Sequence, residues 1–117
     1  MYSATFIFDK KQFDAEFHSL DALIATAARE TSGYLGEEAW EDPSTGRVCN
    51  VYYWADELGL QELTCHPKHL EAKAAYSKWL GGYHVVLAKV LKCYGDESFT
   101  HPTQSTHVAL AAKEQHS

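Results

Sequence analysis

Phe13, Phe17, Leu20, Ile24, Ala27 and Thr31 recur at intervals of three and four residues, and Leu23 and Ala28 widen the stripe. A period near 3.6 held this long marks an amphipathic helix, predicted here over residues 10–31 with a stop at Ser32-Gly33. Asp9, three residues before Gln12, has the form of a capping box and is its predicted start. A one-sided helix must lay its apolar face on another layer. The segment just upstream, Tyr2 to Phe8, supplies a partner: it alternates and is rich in aromatic and β-branched types, as a strand does.

The rest of the chain repeats this grammar. Residues 34–41 and 47–54 read as strands around Asp42-Pro43-Ser44-Thr45-Gly46, a turn sequence, so they form a hairpin. The second strand alternates Val48, Asn50, Tyr52 and Trp54 on one face with Cys49, Val51 and Tyr53 on the other. Asp56 can cap a short helix through Leu63, with Leu58, Leu60 and Leu63 apolar. Pro67 suits the first turn of a further helix over 67–79, with Leu70, Ala74, Ala75 and Trp79 on its buried side and Gly81-Gly82 at its end. Residues 83–94 read as a long last strand. The resulting order predicts an α+β ferredoxin-like split βαβ unit, βαββαβ, with an antiparallel sheet and helices on one face. Both sheet faces carry apolar groups, so the face away from the helices is expected to meet a second subunit. The domain spans residues 1–95. Residues 96–117, with Pro102 and several Ser and Thr, form a tail expected to be mobile or docked on the partner subunit.

Composition narrows the function classes. A chain of 117 residues with 45% hydrophobic and 22% charged residues is the size and make-up of one globular domain. Its formal net charge of -6 disfavours nucleic acid and anionic membranes as partners. No apolar run approaches a membrane span, and the first residues lack the pattern of a signal peptide. The sparse cysteines, Cys49, Cys65 and Cys93, read as reduced thiols of a cytoplasmic protein. Cys65 stands beside His66, a cationic candidate.

Tyr52-Tyr53-Trp54-Ala55-Asp56-Glu57, then His66-Pro67-Lys68-His69-Leu70-Glu71-Ala72, then Trp79-Leu80-Gly81-Gly82-Tyr83 together resemble the antibiotic biosynthesis monooxygenase-like family over about residues 2–94. The resemblance implies a dimeric α+β barrel, in which two ferredoxin-like units join their sheets back to back and each holds a pocket between sheet and helices. It also implies cofactor-independent monooxygenase activity on a small aromatic or phenolic compound. The same fold serves non-catalytic binding proteins and structural dimers, and these stay open as alternatives. The family's haem-degrading branch resembles this chain less. Strand 1 has no Asn, and Leu63 and Lys73 fall where that branch has a Trp and an iron-ligating His. No cofactor and no metal are therefore expected.

The candidate catalytic residues are His69, Asn50 and Tyr76. An imidazole early in the third helix can act as a base near neutral pH, and cofactor-free oxygenation needs a base to form an electron-rich anion. Asn50, an amide in mid-strand, can donate to that anion, and Tyr76 can orient the substrate. Trp54, Trp79, Tyr83 and Tyr52 are the candidate walls of a flat aromatic pocket, although such a set also reads as plain core. His66 and His69, with Glu62 and Glu71 near, form a weaker metal-ligand pattern. Glu38 is either an exposed edge residue or a second acid in the pocket. Arg47 reads as a solvated hairpin residue. His84 faces away from Tyr83.

Overall fold

The computed structural model describes residues 1–11, 14–67, 70 and 78–104. Its elements are β1 (Tyr2–Lys10), α1 (Ala15–Arg29), β2 (Tyr34–Glu41), β3 (Val48–Trp54), α2 (Glu57–Thr64) and β4 (Leu80–Lys89). The four strands form one antiparallel sheet in the order β2-β3-β1-β4. This is the α+β, ferredoxin-like βαββαβ arrangement that the alternation of periods predicts. Neither helix among the described residues is long and apolar enough to cross a membrane.

Strand register sorts the side chains. Phe6 lies between Asn50 of β3 and Val85 of β4, Ala4 between Tyr52 and Leu87, and Phe8 between Val48 and Tyr83. Alternation puts all nine on the face that carries the helices. The core closes there: Ala27 and Ala28 of α1 meet Leu60 and Leu63 of α2 over Trp54, with Tyr2, Ala4, Ile24, Tyr34 and Tyr52 at the margin. The opposite face carries Ile7, Cys49, Val51, Tyr53, His84 and Val86.

Several boundaries differ from those expected. Helix α1 starts at Ala15, not at residue 10, and its cap is Asp14, whose carboxylate accepts from the Phe17 N–H at 2.8 Å. Asp9 is still in β1 and binds Arg47 through two hydrogen bonds of 2.8 and 3.1 Å. That pairing claims the carboxylate the capping box would have used; Arg47 stays exposed, as a solvated hairpin residue does, while tying the hairpin to β1. Asp56 does cap α2, accepting from the Leu58 N–H at 3.0 Å. Gly81 and Gly82 lie inside β4, because β1 runs on to Lys10 and pairs that far with Leu80. β4 ends at Lys89, opposite Tyr2 where its antiparallel partner β1 begins, and does not run on to residue 94. Leu23, Leu58 and Leu70 are exposed, so apolar type alone did not mark the buried faces. Most of the helix expected over 67–79 lies outside the described residues; one bond, from the Leu70 N–H to the His66 carbonyl at 3.1 Å, belongs to its start.

Residues 101–104 pack against the β2–β3 edge on the face away from the helices. The Glu38 carboxylate accepts from the Tyr53 hydroxyl at 2.7 Å and meets His101 Nε2 at 3.0 Å, while His101 Nδ1 lies 2.9 Å from the buried Thr103 hydroxyl. Glu38 is thus neither a solvated edge residue nor a pocket acid but the anchor of this segment. Burial pushes its carboxyl up, yet the Tyr53 and His101 hydrogen bonds together outweigh burial and hold it below the ordinary range. A carboxyl lowered by the fold contributes stability that is lost as pH falls through its folded value. The segment is therefore expected to loosen on acidification, and Glu38→Gln to abolish most of that pH dependence. Gly36, at φ 147°, faces Pro102, and a Cβ there would stand 2.7 Å from the proline Cβ. Gly36→Ala is expected to displace the segment, seen as faster proteolysis within 95–104.

Candidate functional site

Between the sheet and the helices lies a cavity of about 580 Å³. That is within the range of small-molecule sites. Phe6, Phe8, Tyr52, Tyr83, Val85 and Leu87 form its floor from the sheet, and Phe17, Leu20, Ile24, Leu60 and Leu63 close it from the helices. A shallower cleft of about 320 Å³ adjoins it. Phe8, Phe17, Asp21 and Asn50 line both.

Trp79 lines the cavity and is held there twice. Its indole stacks on Phe17 at 5.6 Å with a 23° interplanar angle, and its Nε1–H donates to Asp14 Oδ1 at 3.1 Å. The oxygen that caps α1 therefore also positions the pocket's indole. Asp14→Ala is expected to cost about 1–2 kcal/mol by urea denaturation, more than a solvated cap alone.

Asn50, Tyr52, Trp79 and Tyr83 all line this cavity. Asn50 is half-buried, and among the described residues its side-chain amide makes no hydrogen bond, so its donors and acceptor are left for a ligand. Burial, and next the negative charge of Glu37, push the Tyr52 phenol above the ordinary range. Glu37 is itself paired with Arg29 at 2.9 Å.

Trp54 is placed differently from the expected pocket wall. It is fully buried at 0% exposure, stacks behind Tyr52 at 6.1 Å, and donates its Nε1–H to the Thr31 hydroxyl at 2.7 Å. It supports the cavity from the core instead of lining it, because α2 folds over the end of β3 and seals that position. His69 and Tyr76 lie outside the described residues. So does Glu71, while Glu62 is engaged with the Ser32 backbone N–H and hydroxyl at 3.1 and 2.8 Å. Among the described residues no group of three or more His, Cys, Asp or Glu is placed to hold a metal. Cys49, Cys65 and Cys93 are in no disulfide, and Cys65 is exposed where a buried small hydrophobe is the common case.

One site residue escaped the sequence reading. Asp21 lines both the cavity and the cleft. It is exposed overall, toward the cleft, yet desolvated enough on its inner side that burial raises its carboxyl above the ordinary range, against the pull of His18 and with a further push from Glu37. The signal was present: residue 21 is four after Phe17 and three before Ile24, an acid set within the apolar stripe.

The fold and this cavity define a class: single-domain ferredoxin-like proteins with a pocket between sheet and helices. The comparisons with solved structures agree. Rv0793 from Mycobacterium tuberculosis superposes with a TM-score of 0.65 at 16% identity, covering 79% of this chain and 96% of that one. SnoaB, a cofactor-independent oxygenase from Streptomyces nogalater, superposes at 0.63 with 16% identity, covering 79% and 94%. A Deinococcus radiodurans protein provisionally named an antibiotic biosynthesis monooxygenase does so at 0.62 with 18% identity, covering 80% and 95%. No family model and no curated protein matches the sequence. At these identities the likeness is one of fold, and it bears out the family resemblance at that level.

Proposed function

We propose that this chain is a cofactor-independent, monooxygenase-type enzyme acting on a small aromatic or phenolic compound. The observation that carries this reading is the aromatic cavity of about 580 Å³ with the unpartnered Asn50 amide in its wall. The shared fold with SnoaB, itself a cofactor-independent oxygenase, supports the reaction type by analogy.

In this reading the ring compound lies on Tyr52, Trp79 and Tyr83. A base removes a phenolic or α-carbonyl proton, and the electron-rich anion reacts with dioxygen directly. The ring carbon gains one oxygen atom as a carbonyl and the other leaves as water, with the electrons supplied by the substrate. Asn50 donates to the developing oxyanion, where a fixed donor in an apolar site is worth most. His69 is the proposed base and Tyr76 a proposed orienting group. The open sheet face is the proposed contact of a homodimer, and free thiols fit a reducing, cytoplasmic setting.

Oxygen uptake across a panel of phenols and anthrones tests the proposal. Asn50→Leu is expected to lower kcat/KM about 100-fold while keeping micromolar binding. His69→Ala is expected to slow turnover far more than it weakens binding. Saturable binding with no oxygen uptake by any compound would leave a non-catalytic binding protein instead.

A further inference from the structure

We propose that Asp21 is a specificity-determining residue of the cavity: its carboxylate accepts a hydrogen bond from an O–H or N–H on the bound ring, so that the site prefers donor-bearing rings to their ethers and rejects anionic ones. This rests on the reading that the cavity binds a small aromatic compound.

Asp21 sits on the apolar side of α1, one turn from both Phe17 and Ile24, and faces the sheet where the cavity and the cleft meet. A carboxylate on that side costs stability unless something bonds it. Among the described residues nothing does: its oxygens accept no hydrogen bond, and none of the cavity's described lining residues is Lys or Arg. The neighbours that interact with it electrostatically are His18 on its own helix, Glu37 on β2 and Tyr52 on β3. The Tyr52 hydroxyl makes no hydrogen bond to Asp21, and Glu37 is paired with Arg29 at 2.9 Å. The raised carboxyl agrees with an acceptor short of donors. Across the cavity wall Asn50 can supply a donor, so one ring can be bonded by both.

A hydrogen bond to a charged acceptor in such a setting is expected to change affinity about 10- to 100-fold. The test is calorimetric titration at pH 8 with 2-naphthol, 2-methoxynaphthalene and 2-naphthoate, using the wild-type chain, Asp21→Asn and Asp21→Leu, each checked for native circular dichroism. The wild type is expected to bind 2-naphthol at least 10-fold tighter than 2-methoxynaphthalene. In Asp21→Leu that ratio is expected to fall within about threefold while binding of the ether is kept. Asp21→Asn is expected to gain at least several-fold for 2-naphthoate. An unchanged ratio in Asp21→Leu, with the ether still bound, overturns the role of Asp21 alone. Failure of the wild type to bind either neutral ring overturns the cavity reading, and this inference with it.

Discussion

Trp54→Ala is expected to cost about 3–5 kcal/mol of folding stability, the range for deleting a large buried aromatic. For a domain of this size that corresponds to a fall in Tm of about 10–25 °C. Among the described residues Trp54 is the one large side chain that is fully buried, and it joins three elements: it ends β3, packs against Leu60 and Leu63 of α2, and meets Ala27 and Ala28 of α1. Its indole N–H also satisfies Thr31 just beyond α1, at 2.7 Å. Removing the ring opens a void among groups that do not converge when it goes. Trp54→Phe keeps most of the volume but removes the indole donor to the Thr31 hydroxyl, which still donates to the Ala28 carbonyl, and is expected to cost about half as much. Urea denaturation at an unchanged m-value measures both. A loss below about 1 kcal/mol for the alanine variant would mean that the three elements do not share this core.

Gly59→Ala is expected to destabilise the fold by about 2–3 kcal/mol, as overpacking does. In an exposed helix the same change would stabilise by about 1 kcal/mol, so the sign itself is diagnostic. Gly59 is buried in α2, and a Cβ on it would run into the Ser32 carbonyl oxygen and the Trp54 indole. Glycine is there for the closeness of approach, which lets α2 lie over the end of β3. Because the clash is partly with Trp54, the two substitutions share a contact. A double-mutant cycle is expected to give a combined loss smaller than the sum. A strictly additive result would place the strain of Gly59→Ala elsewhere.

The contrast between what the sequence shows and what it hides follows the range of the interactions. The β2–β3 hairpin is legible because its signals are local: Asp42 and Gly46 make a turn that needs nothing else, with Gly46 at φ 75° and Asp42 accepting from the Ser44 N–H at 2.8 Å. Strand alternation likewise puts Asn50 and Tyr52 on one face and sets Tyr83 opposite His84, while the strand register shows that Asn50, Tyr52 and Tyr83 share the helix-bearing face. Asp9 against Asp14 is a different matter. The local box favours Asp9, and Arg47, 38 residues away, removes it from the competition. Gly81-Gly82 reads as a helix stop until the length of β1 pulls it into a strand. Depth is the other hidden quantity. Trp54 and Trp79 look alike in sequence, but Gly59 lets α2 seal one while Phe17 and Asp14 hold the other against a void. Asp21 was legible as a charge within an apolar stripe, and only the sheet opposite shows that it faces a cavity.

That cavity is the centre of the account, and the three tryptophans allow it to be tested by heteronuclear NMR of their indole N–H groups. Trp79 lines the cavity, Trp54 is sealed behind it, and Trp40 lies 65% exposed at the sheet edge. Titration with 2-naphthol is expected to shift the Trp79 indole resonance saturably, with a smaller response from Trp54 and none from Trp40. Loss of the responding peak in Trp79→Phe assigns it. A shift confined to Trp40, or no saturable shift at all, would contradict a ligand site between the sheet and the helices.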